Sequence, residues 1–318
     1  MPVVLQILSV ILLLGSGWLA RRRGWLTDIG TRELARVLLS LIAPCLIVSA
    51  LVRRSADDMF AQAHLPLLTL VMALIGLGLG QAALRLLRPM PEPTRRGFLF
   101  QCLMNNYIFL PLPIVLLRYG DHGVALLLLS SLGWEIAVWT LGVGIYAPGR
   151  GLRDRIRGVL SPAVLALLGC LAWITFRDRF TPMAGWLASP PAVARFAGEL
   201  ILNVCDFIGR ATIPLSMLVA GSRIAGLHPK HLLDTRMGVV ALIRLILAPA
   251  VFLGLLYLIP IDPVARGVLS IIALMPTAVT AVAFSDRYGG DTDFVTGGLL
   301  LTHILALFTV PLFLAWTG

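Results

Sequence analysis

Lysine is almost absent. Lys230 is the single lysine among 318 residues, and Asp, Glu, Lys and Arg together make up only 13% of the chain. A soluble domain carries about 25% charged residues, so the deficit excludes a water-soluble globular fold. With 58% hydrophobic residues and a mean hydropathy of +0.91, the composition is that of a polytopic membrane protein. Cysteine is scarce as well: Cys45, Cys102, Cys170 and Cys205 all fall within apolar spans, none in a CxxC or zinc-ligand spacing. Neither a disulfide framework nor a metal site is signalled, and no cofactor is expected. The five histidines, His64, His122, His228, His231 and His303, are scattered. An intramembrane enzyme, such as a lipid-modifying transferase, usually needs clustered acids or histidines, which makes that class the weaker alternative. No basic residue precedes the first apolar run; Arg21, Arg22 and Arg23 follow it. That order predicts a first membrane helix with its N-terminus outside, not a signal peptide.

The chain contains ten apolar runs near the length of about 20 residues needed to cross a bilayer. They lie at 2–20, 34–52, 65–87, 97–117, 122–146, 159–176, 198–221, 237–259, 264–285 and 293–316. The formal charge of +10 sits mostly in the short loops between them, where arginine serves orientation and anionic headgroups rather than nucleic acid. Odd-numbered loops hold 17 basic residues and even-numbered loops 7. The positive-inside rule then places the odd loops in the cytoplasm and both termini outside. Ten spans divide into five and five, and an odd number per half inverts the second half relative to the first. The expected units are 1–147 and 159–318, joined by a basic cytoplasmic linker at 148–158. Residues 181–195, with Pro182, Pro190 and Pro191, read as an external loop with room for an interfacial helix.

The stretch that organises the chain is 97–120, GFLFQCLMNNYIFLPLPIVLLRYG. It is apolar enough to span a membrane, yet it carries Asn105, Asn106, Pro111 and Pro113 near its middle. Proline removes a backbone donor and clashes one turn back, so a break is expected there. A break in hydrocarbon is tolerated only where it faces protein or a wet cavity. A second span, 266–289, is broken in the same way by Pro276. Pro93, Arg96 and Gly97 precede Pro263, Arg266 and Gly267 by 170 positions, and Pro44 precedes Pro214 by the same 170. Arg118, Tyr119 and Gly120 precede Arg287, Tyr288 and Gly289 by 169, and Leu103 and Met104 precede Leu274 and Met275 by 171. These offsets indicate an internal duplication. Paired interrupted segments in two halves point to a transporter's binding site.

Asn105, Asn106, Thr277 and Thr280 are the candidate substrate-binding groups, framed by Pro113 and Pro276. Each has a plainer use: the amides cap a broken helix, the hydroxyls bond back to their own helix, and the prolines kink. Pro44, Pro111 and Pro214 are candidate crossing or hinge positions. Ionisable groups inside spans are functional candidates by default. Asp206 and Arg210, four apart, are expected to pair, either as a structural pair or as an ion-coupling group. Glu135 has no obvious partner in its own helix and is a candidate proton carrier. Arg244 is expected to snorkel to the cytoplasmic surface, and His303 to be a core histidine or a relay.

Asn106 followed seven positions later by Pro113, then Arg118-Tyr119-Gly120, resembles the fourth helix of the auxin efflux carrier family. Met275-Pro276-Thr277 within LMPTAVTAVAFSDRYGGD resembles that family's ninth helix, and Ile213-Pro214-Leu215 with Gly221 its seventh. The resemblance covers essentially the whole chain. It implies an all-α, ten-helix fold of two inverted five-helix repeats, related to bile-acid/sodium symporters, with broken helices four and nine crossing at their prolines. It also implies secondary transport of a small mono- or dicarboxylate, auxin- or malate/malonate-like. Such a carrier works by alternating access in a bacterial cytoplasmic (inner) membrane. Membrane lipids, a coupling H+ or Na+ and a second copy of the chain in a homodimer are the further partners; a sodium-coupled symporter of the bile-acid type is an alternative. Two departures stand out. Pro111 replaces a frequent glycine and stiffens the break, and Thr280 replaces a frequent asparagine and shrinks the polar site. Only about a dozen residues separate the halves where plant members carry a long loop.

Overall fold

Helices follow one another along the described residues, 3–149, 151–180, 192–226 and 234–316, of a computed structural model. Among those residues there is no β-strand beyond one isolated bridge. The first part holds α1 (Val3–Arg22), α2 (Asp28–Leu51), the short α3 (Ala56–Ala61), α4 (Leu65–Leu84), α5 (Glu92–Leu103) and α6 (Pro111–Tyr146). The short α7 (Leu152–Val159) leads to α8 (Pro162–Phe180), α9 (Ala192–Arg210) and α10 (Thr212–Ala225). The rest holds α11 (Thr235–Leu258), α12 (Pro263–Ala273), α13 (Thr280–Arg287) and α14 (Thr292–Trp316).

The helix starts follow capping chemistry. Thr27 accepts from the Gly30 N–H at 3.0 Å, and Asp262 from the Ala265 N–H at 2.8 Å. Two prolines set wide turns inside α2 and α11. Pro44 and Pro249 cannot donate one turn back, and π-helical turns at Leu38–Ile42 and Ile243–Leu247 lie directly before them. Pro214, the repeat partner of Pro44, does something different: it sits in the first turn of α10, just past the interruption at Ala211. Gly120 and Gly289, repeat partners at the ends of the two broken elements, both take positive φ, 59° and 69°, a region other residues avoid.

Six helices among the described residues are long and apolar enough to cross a membrane, seven if α7 and α8, bent by 71°, count as one span. Their outer faces remain apolar, with Leu67, Phe207, Leu258 and Phe308 among the exposed side chains. Leucine and phenylalanine outside and a low charge content identify a multi-pass membrane protein. The sequence suggested ten spans. Part of the difference is physical: runs 97–117 and 264–285 are not continuous helices, and the second piece of the former abuts the next run, so that α6 contains both with a kink of non-helical backbone at Gly120 (φ 59°, ψ −157°) between them. The seventh run also starts earlier than expected, since residues 192–195 are already helical. The remainder of the expected external loop, 181–191, lies outside the described residues.

The buried core runs through the broken elements. Phe98, Phe100, Leu103 and Met104 of the first meet Leu269, Ile272, Ala273 and Met275 of the second in one cluster with Trp134. Close packing brings α5 against α4: a Cβ on Gly76 would overlap the Cys102 carbonyl oxygen.

Candidate functional site

None of the prolines at the two breaks interrupts a helix from inside. Pro111 is the first residue of α6 and Pro113 lies in its first turn, where a missing N–H costs nothing. The gap itself is the seven-residue stretch from Met104 to Leu110, opening with Met104 in extended conformation (φ −105°, ψ 122°). In the second element the gap runs from Leu274 to Val279 and contains Pro276.

The two gaps touch and complete one another. Asn105 and Thr277 form an isolated antiparallel bridge. The Asn106 N–H donates to the Pro276 carbonyl at 2.8 Å, and the Ala278 N–H to the Met104 carbonyl at 3.1 Å. Four backbone groups freed by the two breaks are thus satisfied across the junction, as an apolar surrounding demands.

Side chains close part of the rest, leaving Asn105 Oδ1 buried without a donor among the described residues. The Asn105 amide donates to the Ile272 carbonyl at 2.6 Å, near the end of α12, and also contacts the Met72 sulfur at 3.8 Å. Asn106 Oδ1 accepts from the Phe109 and Leu110 N–H groups at 3.1 and 3.4 Å, capping the start of α6. That leaves Asn106 Nδ2 buried without an acceptor among the described residues. Thr277 and Thr302 share a 2.9 Å contact. Because the Thr302 hydroxyl also reaches the Leu299 carbonyl at 3.0 Å, it is Thr277 that donates to Thr302. The start of α13 differs from that of α6: Val279, at its cap, offers no side-chain acceptor.

A cavity of about 340 Å³ adjoins this junction, lined by Asn105, Asn106, Tyr107, Glu135 and Thr280 together with residues of α2 and α8. Glu135 has partners, one of them in its own helix. Tyr107 Oη donates to Glu135 Oε1 at 3.0 Å, and Trp139 Nε1, one turn on, to Oε2 at 3.2 Å. The expectation of no partner in its own helix fails because the indole of Trp139, an otherwise apolar side chain, carries one N–H donor at the i+4 position. Tyr107, stacked on Trp134 at 5.7 Å between centroids, is a site residue that the sequence left unmarked. Its signal was its place directly after the two amides.

Arg244 does not snorkel. Its side chain is fully buried, and Nη1 donates at 3.1 Å to the Cys102 carbonyl in the last turn of α5. A cation at a helix C-terminus meets the negative end of the helix dipole, and the π-helical turn of α11 carries it inward. A buried arginine therefore stands behind the junction, although it does not line the cavity.

The remaining candidates lie elsewhere. Asp206 and Arg210 pair at 2.9 Å, as their spacing suggested, on an exposed face of α9. His303 is buried, with Nδ1 2.8 Å from the Leu299 carbonyl, and borders an apolar crevice with Met275 and Pro276. Pro214 is exposed, and Pro44 is half-buried in α2. The structure thus joins Asn105, Asn106, Thr280 and Glu135 on one cavity wall, keeps Thr277 and Pro276 in the second gap but off that wall, and leaves Pro113, Asp206, Arg210 and His303 outside the cavity.

Comparison with known proteins bears on this arrangement. The sequence matches the family described as membrane transport protein over residues 2–314. An uncharacterized transporter of Methanothermobacter thermautotrophicus is 23% identical over 310 residues, covering 96% of this chain and 95% of that protein. Another, from Methanocaldococcus jannaschii, is 26% identical over 225 residues, 68% of this chain and 66% of that protein's own length. The chain belongs to this family of membrane transporters, the auxin efflux carrier family that its Asn-to-Pro and Met-Pro-Thr motifs resemble.

Proposed function

We propose that the chain is a secondary transporter of a small organic anion, a mono- or dicarboxylate, working by alternating access. The observation that carries this reading is the junction of the two helix gaps. It presents a buried amide donor without an acceptor, Asn106 Nδ2, beside a helix start with no side-chain cap, at Val279. Both border one cavity. Helix N-termini and amide donors favour carboxylates over cations. Thr277 and Thr280 belong to the same site in this reading, and Pro113 and Pro276 shape it.

The ten-span architecture in two inverted halves, 1–147 and 159–318 about the linker 148–158, is part of the proposal. The matched gaps and the matched positive-φ glycines Gly120 and Gly289 support it. So do the half-elements α5 and α12, which begin 171 positions apart, at Glu92 and Pro263. The crossing of elements four and nine and the placement of both termini outside the inner membrane follow from the same scheme. Glu135, which reaches the junction through Tyr107, favours a proton over sodium as coupling ion.

Thermal-shift screening of carboxylates on the purified protein, followed by flux of the stabilising compounds in liposomes, tests the reading. Saturable uptake of one of them supports it; stabilisation by organic cations alone would replace it. Flux under imposed proton and sodium gradients decides the coupling ion.

A further inference from the structure

A second cavity, of about 440 Å³, lies between the first part of α6, the end of α11 and the beginning of α12. Arg118 and Arg266 line it, both half-buried. Neither has a carboxylate within ion-pair distance among the described residues. Arg266 donates to the Ile259 carbonyl at 3.2 Å and lies over the Tyr257 ring at 5.8 Å; Arg118 lies over Tyr119 at 5.7 Å. The remaining wall is largely aliphatic, from Leu253, Leu256 and Leu274, and Tyr257 at its edge is 71% exposed.

The matching end of the other repeat shows what is missing. Arg96 stands 170 positions before Arg266, and Glu92 the same distance before Asp262. Glu92 holds Arg96 in an ion pair at 3.0 Å. Asp262, one methylene shorter, turns its carboxylate to the Ala265 N–H at 2.8 Å instead. The duplicated element keeps the guanidinium at both ends but neutralises it at one only. Two half-buried cations sharing an aliphatic cavity without a counter-charge are costly, and an anion from outside the chain relieves that cost.

We propose that this cavity binds an amphipathic anion. Its phosphate or carboxylate head takes hydrogen bonds from Arg118 and Arg266, and its apolar chain lies along Leu253, Leu256 and Leu274. Guanidinium groups suit such heads because two parallel N–H donors match two oxygens. Tyrosine and arginine together at an exposed edge are what a membrane–water interface selects. An acidic phospholipid and a soluble long-chain carboxylate carry the same chemistry. The site is separate from the gap junction and does not depend on what that junction transports.

Full-length protein in nanodiscs of phosphatidylcholine, with or without a minor fraction of phosphatidylglycerol, tests the proposal by native mass spectrometry and melting temperature. Wild type is expected to retain phosphatidylglycerol preferentially and to melt higher in its presence. The Arg118→Gln/Arg266→Gln variant loses both effects, whereas Arg118→Lys/Arg266→Lys, which keeps the charge, retains part of them. Arg153→Gln/Arg157→Gln, an equal loss of charge on the exposed α7, behaves as wild type. Decanoate added to phosphatidylcholine discs forms the soluble arm. If it alone stabilises wild type and not the glutamine pair, the head chemistry stands and the occupant is a soluble carboxylate. Equal phosphatidylglycerol retention by wild type and the glutamine pair, or no response of wild type to either anion, overturns the proposal. Should the glutamine pair fail to fold, the single variants Arg118→Gln and Arg266→Gln give the same reading, each with weakened retention.

Discussion

The Asn106 backbone N–H donates to the carbonyl of Pro276 across 2.8 Å, joining two chain segments 170 residues apart in sequence. Each helix gap supplies one backbone N–H and one carbonyl that the other uses, and such pairing is what an apolar surrounding requires of interrupted helices. The junction is therefore one structural unit built from two distant segments.

The two ends of the Asn106 side chain do separate jobs, and substitutions can part them. Oδ1 caps the start of α6 through Phe109 and Leu110, while Nδ2 has no acceptor. Asn106→Ala removes the cap and should cost about 1 kcal/mol, seen as a lower melting temperature in detergent. Asn106→Asp keeps an acceptor facing a helix N-terminus and should melt close to wild type.

The contact between Thr277 and Thr302 is a buried hydroxyl pair at 2.9 Å. Inter-helix polar contacts in membranes average about 0.6 kcal/mol in double-mutant cycles. Thr277→Val, Thr302→Val and the double variant, compared by unfolding in mixed micelles, should give a coupling energy of about that size. Strict additivity would mean that the two hydroxyls do not interact.

Glu135 holds two donors, Tyr107 Oη and Trp139 Nε1, and glutamine can accept from only one of them. Glu135→Gln should leave anion exchange intact but abolish its acceleration by an imposed proton gradient in liposomes. Gradient-driven uptake equal to wild type would take Glu135 out of proton coupling.

Close packing of α4 on α5 has its tightest point at Gly76, where any side chain meets the Cys102 carbonyl. That carbonyl is also the acceptor for Arg244. Gly76→Val should destabilise by about 1–3 kcal/mol through overpacking, measured as a lower melting temperature. Gly78→Val on the same helix, where a Cβ meets nothing within 4 Å, should have little effect.

The gaps were legible in the sequence because amides and prolines are conspicuous in apolar runs, and the repeat offset tied one gap to the other. How the gaps are closed was not legible. The bonds from Asn106 to Pro276 and from Ala278 to Met104 depend on a tertiary contact that no local pattern encodes. Pro111 and Pro113 illustrate the same limit: proline signals that a helix is disturbed nearby, but here both begin a helix rather than interrupt one. Arg244 points inward rather than to the surface because distance along a span does not set which face a side chain takes, and a π-helical turn shifts that face. The Asp206–Arg210 pair followed from spacing alone, whereas its exposed position on α9 depended on neighbouring helices.

Anion uptake by Asn106→Asp, set against wild type in liposomes, tests the central claim most directly. The cap survives this substitution while a carboxylate takes the place of the amide donor, so folding and function are read separately. Saturable carboxylate uptake by wild type, lost in a variant that melts normally, is the result expected if the junction of the two gaps holds the anion. Uptake by Asn106→Asp equal to wild type would contradict it.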